Sequence, residues 1–181
     1  MGEVIWTDDE GCICNIPVEY KYADDNKLWN VSHATLKNSG ASVVYFIETG
    51  SANTAEGEYC VHCTGTSSTT VLFYELPANG SSYASIAETD KTKLNVYNVN
   101  RQNSLSNNYT DIYLGHNARW VHAVDSTELA QSVFNVYYPF HSTHNSTPWI
   151  LNSSATYAIV VLSGANDNYL SMTYTWKEAT V

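Results

Sequence analysis

Four cysteines have the clearest capacity for chemistry in this chain. Cys12 and Cys14 form a C-x-C pair, and Cys60 and Cys63 form a C-x-x-C pair. Four thiolates can hold a tetrahedral zinc ion, but 45 residues separate the two pairs, more than a compact zinc ribbon uses. The same residues could form disulfides in an oxidising compartment or lie as ordinary buried thiols. A disulfide or thiol cluster is therefore favoured over a metal site.

The histidines offer weaker chemistry than the cysteines. His141 and His144 lie in a polar stretch, where their i, i+3 spacing fits a helix. A metal-binding pair on one strand would prefer i, i+2 spacing, and the composition argues against a helix. We therefore predict no metal ligand and assign these two histidines to a polar binding loop.

The chain lacks the sequence motifs of common catalytic sites. It contains no G-x-S-x-G, P-loop, G-x-G-x-x-G or H-E-x-x-H sequence. Glu48, Glu75, Asp111 and Glu128 could supply a glycosidase pair only if the fold places two of them across a groove. The short acidic runs lack the alternating spacing of an EF-hand loop. We predict no enzymatic activity, no catalytic residue and no cofactor, and keep a glycan-acting enzyme as an alternative.

Polar aromatic residues are concentrated in one predicted loop region. Tyr137-Tyr138-Pro139-Phe140 runs directly into a Ser-, Thr- and Asn-rich stretch that ends at Trp149. Tyr and Trp offer rigid faces with a polar edge, while Asn and Ser provide adaptable hydrogen bonds. Sugars need this mixture of stacking and hydrogen bonding, and so do protein receptors. The ligand-binding residues that we predict are Tyr137, Tyr138, His141, His144, Asn145, Trp149 and Trp120.

The elements that must position these residues are β-strands. Alternation of apolar and polar residues is clearest from Tyr169 to Trp176, and this period of two is typical of half-buried strands. Ser42–Ile47 and Thr156–Leu162 are continuously apolar, which predicts central strands covered on both faces. Glu58–Thr64 and Thr70–Leu76 are two further strands, with a Ser/Thr-rich turn between them. We predict an all-β fold, an antiparallel, jelly-roll-like β-sandwich of about 10–12 strands.

Three local features complete this prediction. Residues 109–124 predict a hairpin that turns at Gly115-His116-Asn117. Residues 125–131 offer a helix cap followed by good helix formers, which predicts one short helix. Within the strand predicted around Cys60 and Cys63, alternation places the two thiols on opposite faces unless a bulge intervenes. No linker or repeat interrupts the chain, so residues 1–181 form one domain.

The net charge and the lack of long apolar runs narrow the classes of partner that we expect. The formal net charge is −10, with 8 basic and 18 acidic residues, so no basic cluster is available for nucleic acid. No apolar run reaches the length of a membrane helix, and no signal peptide is visible. We expect neither nucleic-acid binding nor membrane insertion. Five N-x-S/T sequons fit an extracellular or virion-surface location, and they begin at Asn30, Asn79, Asn108, Asn145 and Asn152.

Two short segments resemble a known family. Ile5-Trp6-Thr7, followed shortly by Cys12, is similar to the start of adenovirus fibre heads, where a Leu-Trp-Thr run precedes a cysteine. The alternation from Tyr169 to Trp176 resembles the closing strands of those heads. The resemblance implies a homotrimeric β-sandwich that attaches a virus to a cell-surface glycan or protein receptor. A tumour-necrosis-factor-like trimeric lectin would share the composition and a trimeric jelly roll.

The leading hypothesis is therefore a non-enzymatic domain that binds a cell-surface glycan or a protein receptor, as a viral attachment head or a lectin. We expect a homo-oligomer, with the trimer implied by the resemblance. The alternatives are a lipocalin-like barrel that holds a small ligand and a glycan-acting enzyme.

Overall fold

The computed structural model describes residues 3–7, 13–17, 28–51, 53–64, 68–76, 91–99, 110–115, 127–134, 141–144 and 149–180, with the backbone alone in 3–7, 13–17, 53, 127–134, 141–144 and 179–180. These residues form fourteen strands and no helix, so the predicted all-β class is confirmed. The strands are β1 Glu3–Thr7, β2 Ile13–Pro17, β3 Leu28–Lys37, β4 Ser42–Glu48, β5 Asn53–Cys63, β6 Thr69–Leu76, β7 Lys91–Lys93, β8 Tyr97–Asn98, β9 Asp111–Gly115, β10 Thr127–Phe134, β11 His141–His144, β12 Trp149–Leu151, β13 Thr156–Leu162 and β14 Asn168–Thr180.

Twelve of these strands build two antiparallel sheets. The front sheet has the order β11-β5-β14-β3-β8, and β12 adds to the same edge of β5 as β11. The back sheet has the order β10-β6-β13-β4-β9-β7. The remaining two strands, β1 and β2, pair with each other as a separate ribbon. Neither sheet closes on itself in the described part of the chain, so the fold is a sandwich and the closed-barrel alternative lacks its architecture.

The chain passes repeatedly from one sheet to the other. Strands β3, β4, β5 and β6 lie alternately in the front and back sheets, and so do β10, β11, β13 and β14. The last long strand, β14, returns to lie between β3 and β5. Alternation between two sheets with the final strand beside an early one is the arrangement of a jelly roll. The predicted jelly-roll-like sandwich is thus confirmed.

The core lies between the two sheets and is rich in aromatic rings. Leu170, Met172, Tyr174 and Trp176 alternate along β14 and are all buried, as the period of two predicts. The rings of Tyr174 and Trp176 stack with their centroids 5.1 Å apart. Opposite them, Phe73 of β6 packs among three other rings. Such aromatic pairs add to the energy of the area they bury.

The back sheet is buried on both of its faces. One face contributes to the central core, and the outer face carries a second apolar cluster that includes Val44, Phe46 and Val160, each fully buried. This explains why β4 and β13 are continuously apolar rather than alternating. The prediction that Ser42–Ile47 and Thr156–Leu162 are central strands covered on both sides is confirmed.

The predicted helix at residues 125–131 is wrong, because strand β10 covers Thr127–Phe134. This strand pairs with β6, and its register shifts between Glu128 and Ala130. The bulge interrupts the alternation of apolar and polar residues along the strand. The sequence therefore showed no strand pattern there, and the helix-forming residues were the only local indication of structure. Pairing along the edge of the back sheet outweighs the small differences in helix propensity.

Other local predictions need smaller corrections. The strands at Glu58–Thr64 and Thr70–Leu76 are present, but they belong to different sheets and are not paired with each other. The first strand of the hairpin predicted at 109–124 is present as β9, but the hairpin pairing is wrong, because β9 is paired on one edge with β4 and on the other with β7. Residues 116–126 lie outside the described residues. Fourteen strands exceed the predicted 10–12 because β7, β8 and β12 span only two or three residues, too few to show a periodic pattern.

Candidate recognition surface

The outer face of the front sheet is a broad surface whose side chains follow from strand register. Ladder partners lie side by side on the same face of a sheet, so successive rows can be assigned from the pairing. One row joins Tyr169 to Leu36, the next joins His62, Ser171 and Ala34, and a third joins Cys60, Thr173 and Ser32. A fourth row joins Glu58, Thr175, Asn30 and Tyr97. We call these four rows, together with Ile150 beside Glu56, the recognition face.

The recognition face carries four of the five large hydrophobic side chains that are exposed in the described residues. Tyr169 is 58% exposed and its neighbour Leu36 is 48% exposed, at one end of the face. Tyr97 is 47% exposed and Ile150 is 71% exposed, on opposite edges towards the other end. The fifth, Val99, follows directly after β8. Tyr169 and Leu36 are ladder partners and form a contiguous apolar patch, the feature that marks a candidate interaction site, whereas Tyr97 and Ile150 are exposed singly.

Between these apolar groups the recognition face is flat, polar and largely uncharged. The first three rows contain Ser32, Ser171 and Thr173, and none of their described residues is Asp, Glu, Lys or Arg. In the fourth row the side-chain amide of Asn30 donates a 2.8 Å hydrogen bond to Thr175 Oγ1. Charge begins at Glu58 and continues with the Lys177–Glu56 ion pair at 2.8 Å. The chain as a whole is acidic, with a net charge of −10, so the uncharged centre of the recognition face differs from the average composition of the protein.

A buried polar corner fixes the end of the face that carries Tyr169. Asn168 is fully buried, and its side-chain Oδ1 accepts the backbone N–H of Thr64 at 3.1 Å. Its Nδ2 donates to the hydroxyls of Ser163, at 3.0 Å, and Thr69, at 3.3 Å. The backbone N–H of Tyr169 donates to Thr64 Oγ1. Satisfied buried networks of this kind hold backbone in one conformation, so the Tyr169 ring is presented from a rigid base.

The structure brings three of the predicted ligand-binding residues to one edge of the front sheet. His141 and His144 are the end residues of β11, in register with Cys63 and Cys60 of β5. Trp149 begins β12 and is in register with Gly57. The expected loop at 141–144 is thus a strand. Tyr137, Tyr138, Asn145 and Trp120 lie outside the described residues, and their predicted role stays a prediction.

Trp149 contributes to the core as well as to this edge. Its half-buried ring packs against Phe73 with a centroid distance of 5.3 Å. The indole Nε1 is buried and has no hydrogen-bond partner among the described residues. A ring held in this way leaves only part of its surface for a ligand, so Trp149 is less suited to stacking than Tyr169.

The cysteines of β5 point to opposite faces, as the alternation predicted. Cys63 is buried in the core, whereas Cys60 lies half-buried on the recognition face. Because they face opposite sides of the sheet, the two do not form one cluster with each other. Cys14 lies in β2, outside the sheet that contains β5, and Cys12 lies outside the described residues. A disulfide or cluster that includes Cys12 or Cys14 stays a prediction.

The sequence analysis did not identify the pair Cys60 and His62, although the alternation of side chains along β5 places both on the recognition face. Cys60 Sγ and His62 Nε2 are 3.3 Å apart, and their i, i+2 spacing is the one expected of a pair on a single strand. The signal was present in the sequence, since Glu58–Thr64 was predicted to be a strand. Grouping Cys60 with Cys63 as C-x-x-C concealed it.

Two of the four carboxylates considered for catalysis, Glu48 and Asp111, are engaged in ion pairs on the back sheet. Glu48 and Asp111 are ladder partners, but Lys91 Nζ lies 2.9 Å from Glu48 and Lys93 Nζ lies 2.7 Å from Asp111. The hydrogen bond from Lys93 to Asp111 is the main reason that the pKa of Lys93 is raised. The two carboxylates therefore face lysines. Elsewhere, Glu75 accepts a hydrogen bond from Tyr157, and Glu128 is described only by its backbone.

A histidine on the inner side of the front sheet is separate from this surface. His33 Nδ1 lies 3.1 Å from the hydroxyl of Tyr45, and their rings meet edge to face. Burial, and secondarily the positive charge of Lys37, lowers the pKa of His33. Burial also raises the pKa of Tyr45. The pair is thus a neutral hydrogen-bonded contact between the two sheets.

Comparison with protein-family models, with curated proteins and with solved structures finds no match for this chain. In the described part of the chain, no three His, Cys, Asp or Glu side chains are grouped so that they could hold a metal ion. No described segment forms a helix long and apolar enough to cross a membrane.

Proposed function

We propose that this chain is a non-enzymatic binding domain that recognises a cell-surface glycan, or a protein receptor, through the recognition face. The observation that carries the proposal is the asymmetry of the sandwich. The back sheet covers its outer face with a second apolar cluster, whereas the recognition face leaves Tyr169, Leu36, Tyr97 and Ile150 exposed. Exposed aromatic and aliphatic groups on a rigid sheet favour binding.

The chemistry of the face suits a carbohydrate. The Tyr169 ring offers a surface on which the C–H face of a sugar can stack. Ser171 and Thr173 follow it on the same face of β14, and their hydroxyls are at the spacing of alternate strand residues, about 7 Å. Ser32 lies beside Thr173 on β3. Neutral hydroxyls both donate and accept hydrogen bonds, which matches the hydroxyls of a glycan.

The size of the face favours a glycan over a protein receptor. The four rows contain twelve residues, and at strand spacings of about 4.8 Å and row spacings of about 7 Å they cover roughly 400 Å². A stable protein interface buries about 800 Å² on each partner, so the described face alone would bind a protein weakly. A glycan needs less area, and weak sites gain avidity when several copies act together. We propose a homotrimer at the cell exterior or virion surface, acting as an attachment head or lectin.

The test combines a glycan array with light scattering on the purified chain, and binding to cells treated with glycosidase or protease. Tyr169→Ala is expected to weaken glycan binding about two- to tenfold, the range for loss of one aromatic contact. Leu162→Ala, which truncates a half-buried hydrophobic side chain packed against the outer cluster of the back sheet, is the control and should bind normally.

Three outcomes would overturn the proposal. One is the absence of binding to both glycans and cells, and a second is unchanged binding by a Tyr169→Ala, Leu36→Ala double variant. The third is a double variant that binds normally but loses its oligomeric state, which would make the face a contact between copies. Loss of cell binding after protease treatment alone would replace the glycan with a protein receptor.

A further inference from the structure

The apolar patch of Tyr169 and Leu36 adjoins a group of polar loop residues. One ladder pair beyond this patch, β14 and β3 end. There the backbone N–H of Asp167 donates to the side-chain Oδ1 of Asn38 at 3.4 Å. Asp167 and Asn38 are both exposed, and each is two residues from its neighbour in the patch, so their Cα atoms lie within about 7 Å of it. Polar and apolar groups therefore meet at this end of the recognition face.

Hydrogen bonds hold together the two loops that carry the polar group. One loop, residues 38–41, joins β3 to β4, and the other, residues 163–167, joins β13 to β14. Ser39 links them twice. Its backbone N–H donates to Asn166 Oδ1 at 3.1 Å, and its hydroxyl donates to the carbonyl oxygen of Gly164 at 3.3 Å. Because the loops are already ordered, a ligand that binds them loses little affinity to conformational entropy.

The polar groups left open beside the patch have complementary roles in hydrogen bonding. The Asp167 carboxylate can only accept, and it forms no ion pair or hydrogen bond with another described residue. Asn38 and Asn166 each use the side-chain oxygen to accept a backbone N–H, so Nδ2 of each remains a donor. Both amides are exposed. A sugar hydroxyl donates one hydrogen bond and accepts others, so it can use the carboxylate and the amides together.

We propose that these residues form the primary subsite of the recognition face, and that it takes a neutral hexopyranose with two adjacent free hydroxyls. The inference rests on the proposed function and names the class of sugar that the face selects. The C–H face of the sugar stacks on Tyr169 and contacts Leu36. Its hydroxyl pair donates to the two oxygens of the Asp167 carboxylate, and Asn38 and Asn166 donate to the same hydroxyls.

The charges at this end of the face select against an anionic sugar. The Asp167 carboxylate would repel the carboxylate or sulfate of such a sugar, and the net charge of −10 adds to that repulsion. Lys37 is the one lysine of β3, but it follows Leu36 directly, so alternation places it on the other side of the sheet. There, after burial itself, its charge is the second cause that lowers the pKa of His33. Lys37 therefore does not offset Asp167 at the patch.

The experiment measures the affinity of the purified chain for the methyl hexopyranosides of galactose, glucose and mannose by ligand-observed NMR at pH 7.5. Asp167→Asn is expected to weaken binding of the preferred hexoside about tenfold, because charge-assisted hydrogen bonds are roughly twice as strong as neutral ones. Asparagine tolerates the left-handed backbone of residue 167, where φ is 51°, and urea unfolding checks that stability is retained. Asp111→Asn, which removes the same charge from the back sheet, is the matched control and should bind like the wild type.

A second measurement uses the wild-type chain alone. Each adjacent hydroxyl pair of the preferred hexoside is O-methylated in turn, which removes its hydrogen-bond donors. At least one derivative should bind about tenfold more weakly or worse, because the Asp167 oxygens then lose their partners.

Three results would overturn the subsite and leave glycan binding itself intact. They are normal binding by Asp167→Asn, full affinity of every O-methylated derivative, and tighter binding of N-acetylneuraminic acid or glucuronic acid than of every neutral hexoside. The absence of binding to any glycan of the array is a different outcome, since it removes the proposed function and the subsite with it.

Discussion

Replacement of Gly57 by alanine tests the closest approach between two strands of the front sheet. Gly57 lies in β5 opposite Trp176 of β14. An added Cβ would stand 2.6 Å from Tyr174 Oη, 2.7 Å from Trp176 Cβ and 2.8 Å from the carbonyl oxygen of Thr175. Two of these atoms are fixed by the backbone of β14, so they cannot give way without moving the central strand of the sheet.

The expected loss of stability is large for the addition of one methyl group. Overpacking typically costs about 1–3 kcal/mol, and contact with backbone-fixed atoms places Gly57→Ala at about 3 kcal/mol. In a chain of this size each kcal/mol lowers Tm by about 2–4 °C, so we expect a decrease of about 6–12 °C. Urea unfolding followed by circular dichroism gives the free energy directly.

Two further variants separate the steric cause from a general effect of losing glycine. Gly40→Ala has no heavy atom within 4 Å of its Cβ and only a positive φ of 77° to tolerate, so it should cost about 1 kcal/mol. Tyr174→Phe removes a buried hydroxyl that has no hydrogen-bond partner among the described residues, so alone it should be nearly neutral. Combined with Gly57→Ala it should restore part of the loss, because two of the three close atoms remain.

A mild effect would refute this reasoning. If Gly57→Ala were no more destabilising than Gly40→Ala, β5 and β14 could not be packed in this register at this distance. If Tyr174→Phe gave no recovery, the hydroxyl would not be the nearest obstacle. Either result would also remove the register on which the rows of the recognition face depend.

Three other predictions follow from single contacts. Gly164→Ala should destabilise the fold more than Gly57→Ala in the same urea assay, because its Cβ would overlap the carbonyl oxygen of Ser68. Lys91→Met should cost about 1–3 kcal/mol by urea unfolding, since Glu48 loses the partner of a largely buried ion pair; no loss would contradict that pairing. Burial lowers the pKa of His33 below 6.5, so its stabilising contribution is present above pH 6.5 and is lost as the pH falls towards the lower, folded-state pKa. The unfolding free energy of the wild type relative to His33→Gln should therefore decrease from pH 7 to pH 5, and equal pH dependence would refute it.

Strand identity could be predicted wherever side-chain burial is periodic. Residues 169–176 alternate because one side of β14 meets the core and the other meets solvent. Ser42–Ile47 is uniformly apolar because both sides are buried. The bulge in β10 shows the limit of this signal, since one extra residue changes the phase of the alternation. Local propensity then gave the wrong element.

Strand partnership could not be predicted in the same way. The few residues between β5 and β6 suggest neighbours, yet one strand joins the front sheet and the other joins the back sheet. Tyr169 and Leu36 form a single exposed patch only because β14 pairs with β3. Contacts between residues so distant in sequence depend on which apolar faces pack against each other. Local periodicity predicts a strand but does not predict which other strand it pairs with.

The candidate site was predictable only to the extent that it lies within one strand. Cys60 and His62 share a face through i, i+2 spacing alone, so the prediction of a strand there already implied the pair. His141, His144 and Trp149, which lie along one edge of the front sheet, were predicted as ligand-binding residues for a different reason. Their polar and aromatic character suggested a loop, whereas the structure uses 141–144 and 149–151 to extend the edge of β5.

The same alternation that builds the core also determines what the free face can offer a ligand. Each residue of β14 that packs inward is large, from Leu170 to Trp176, and the residues between them are Ser171, Thr173 and Thr175. Small hydroxyl residues make the centre of the face flat, while Tyr169 at its end remains large and exposed. A back sheet with both faces buried cannot provide such a surface. Binding by the front sheet is therefore the arrangement that the packing of this sandwich favours, and it requires no residue to leave its place in the fold.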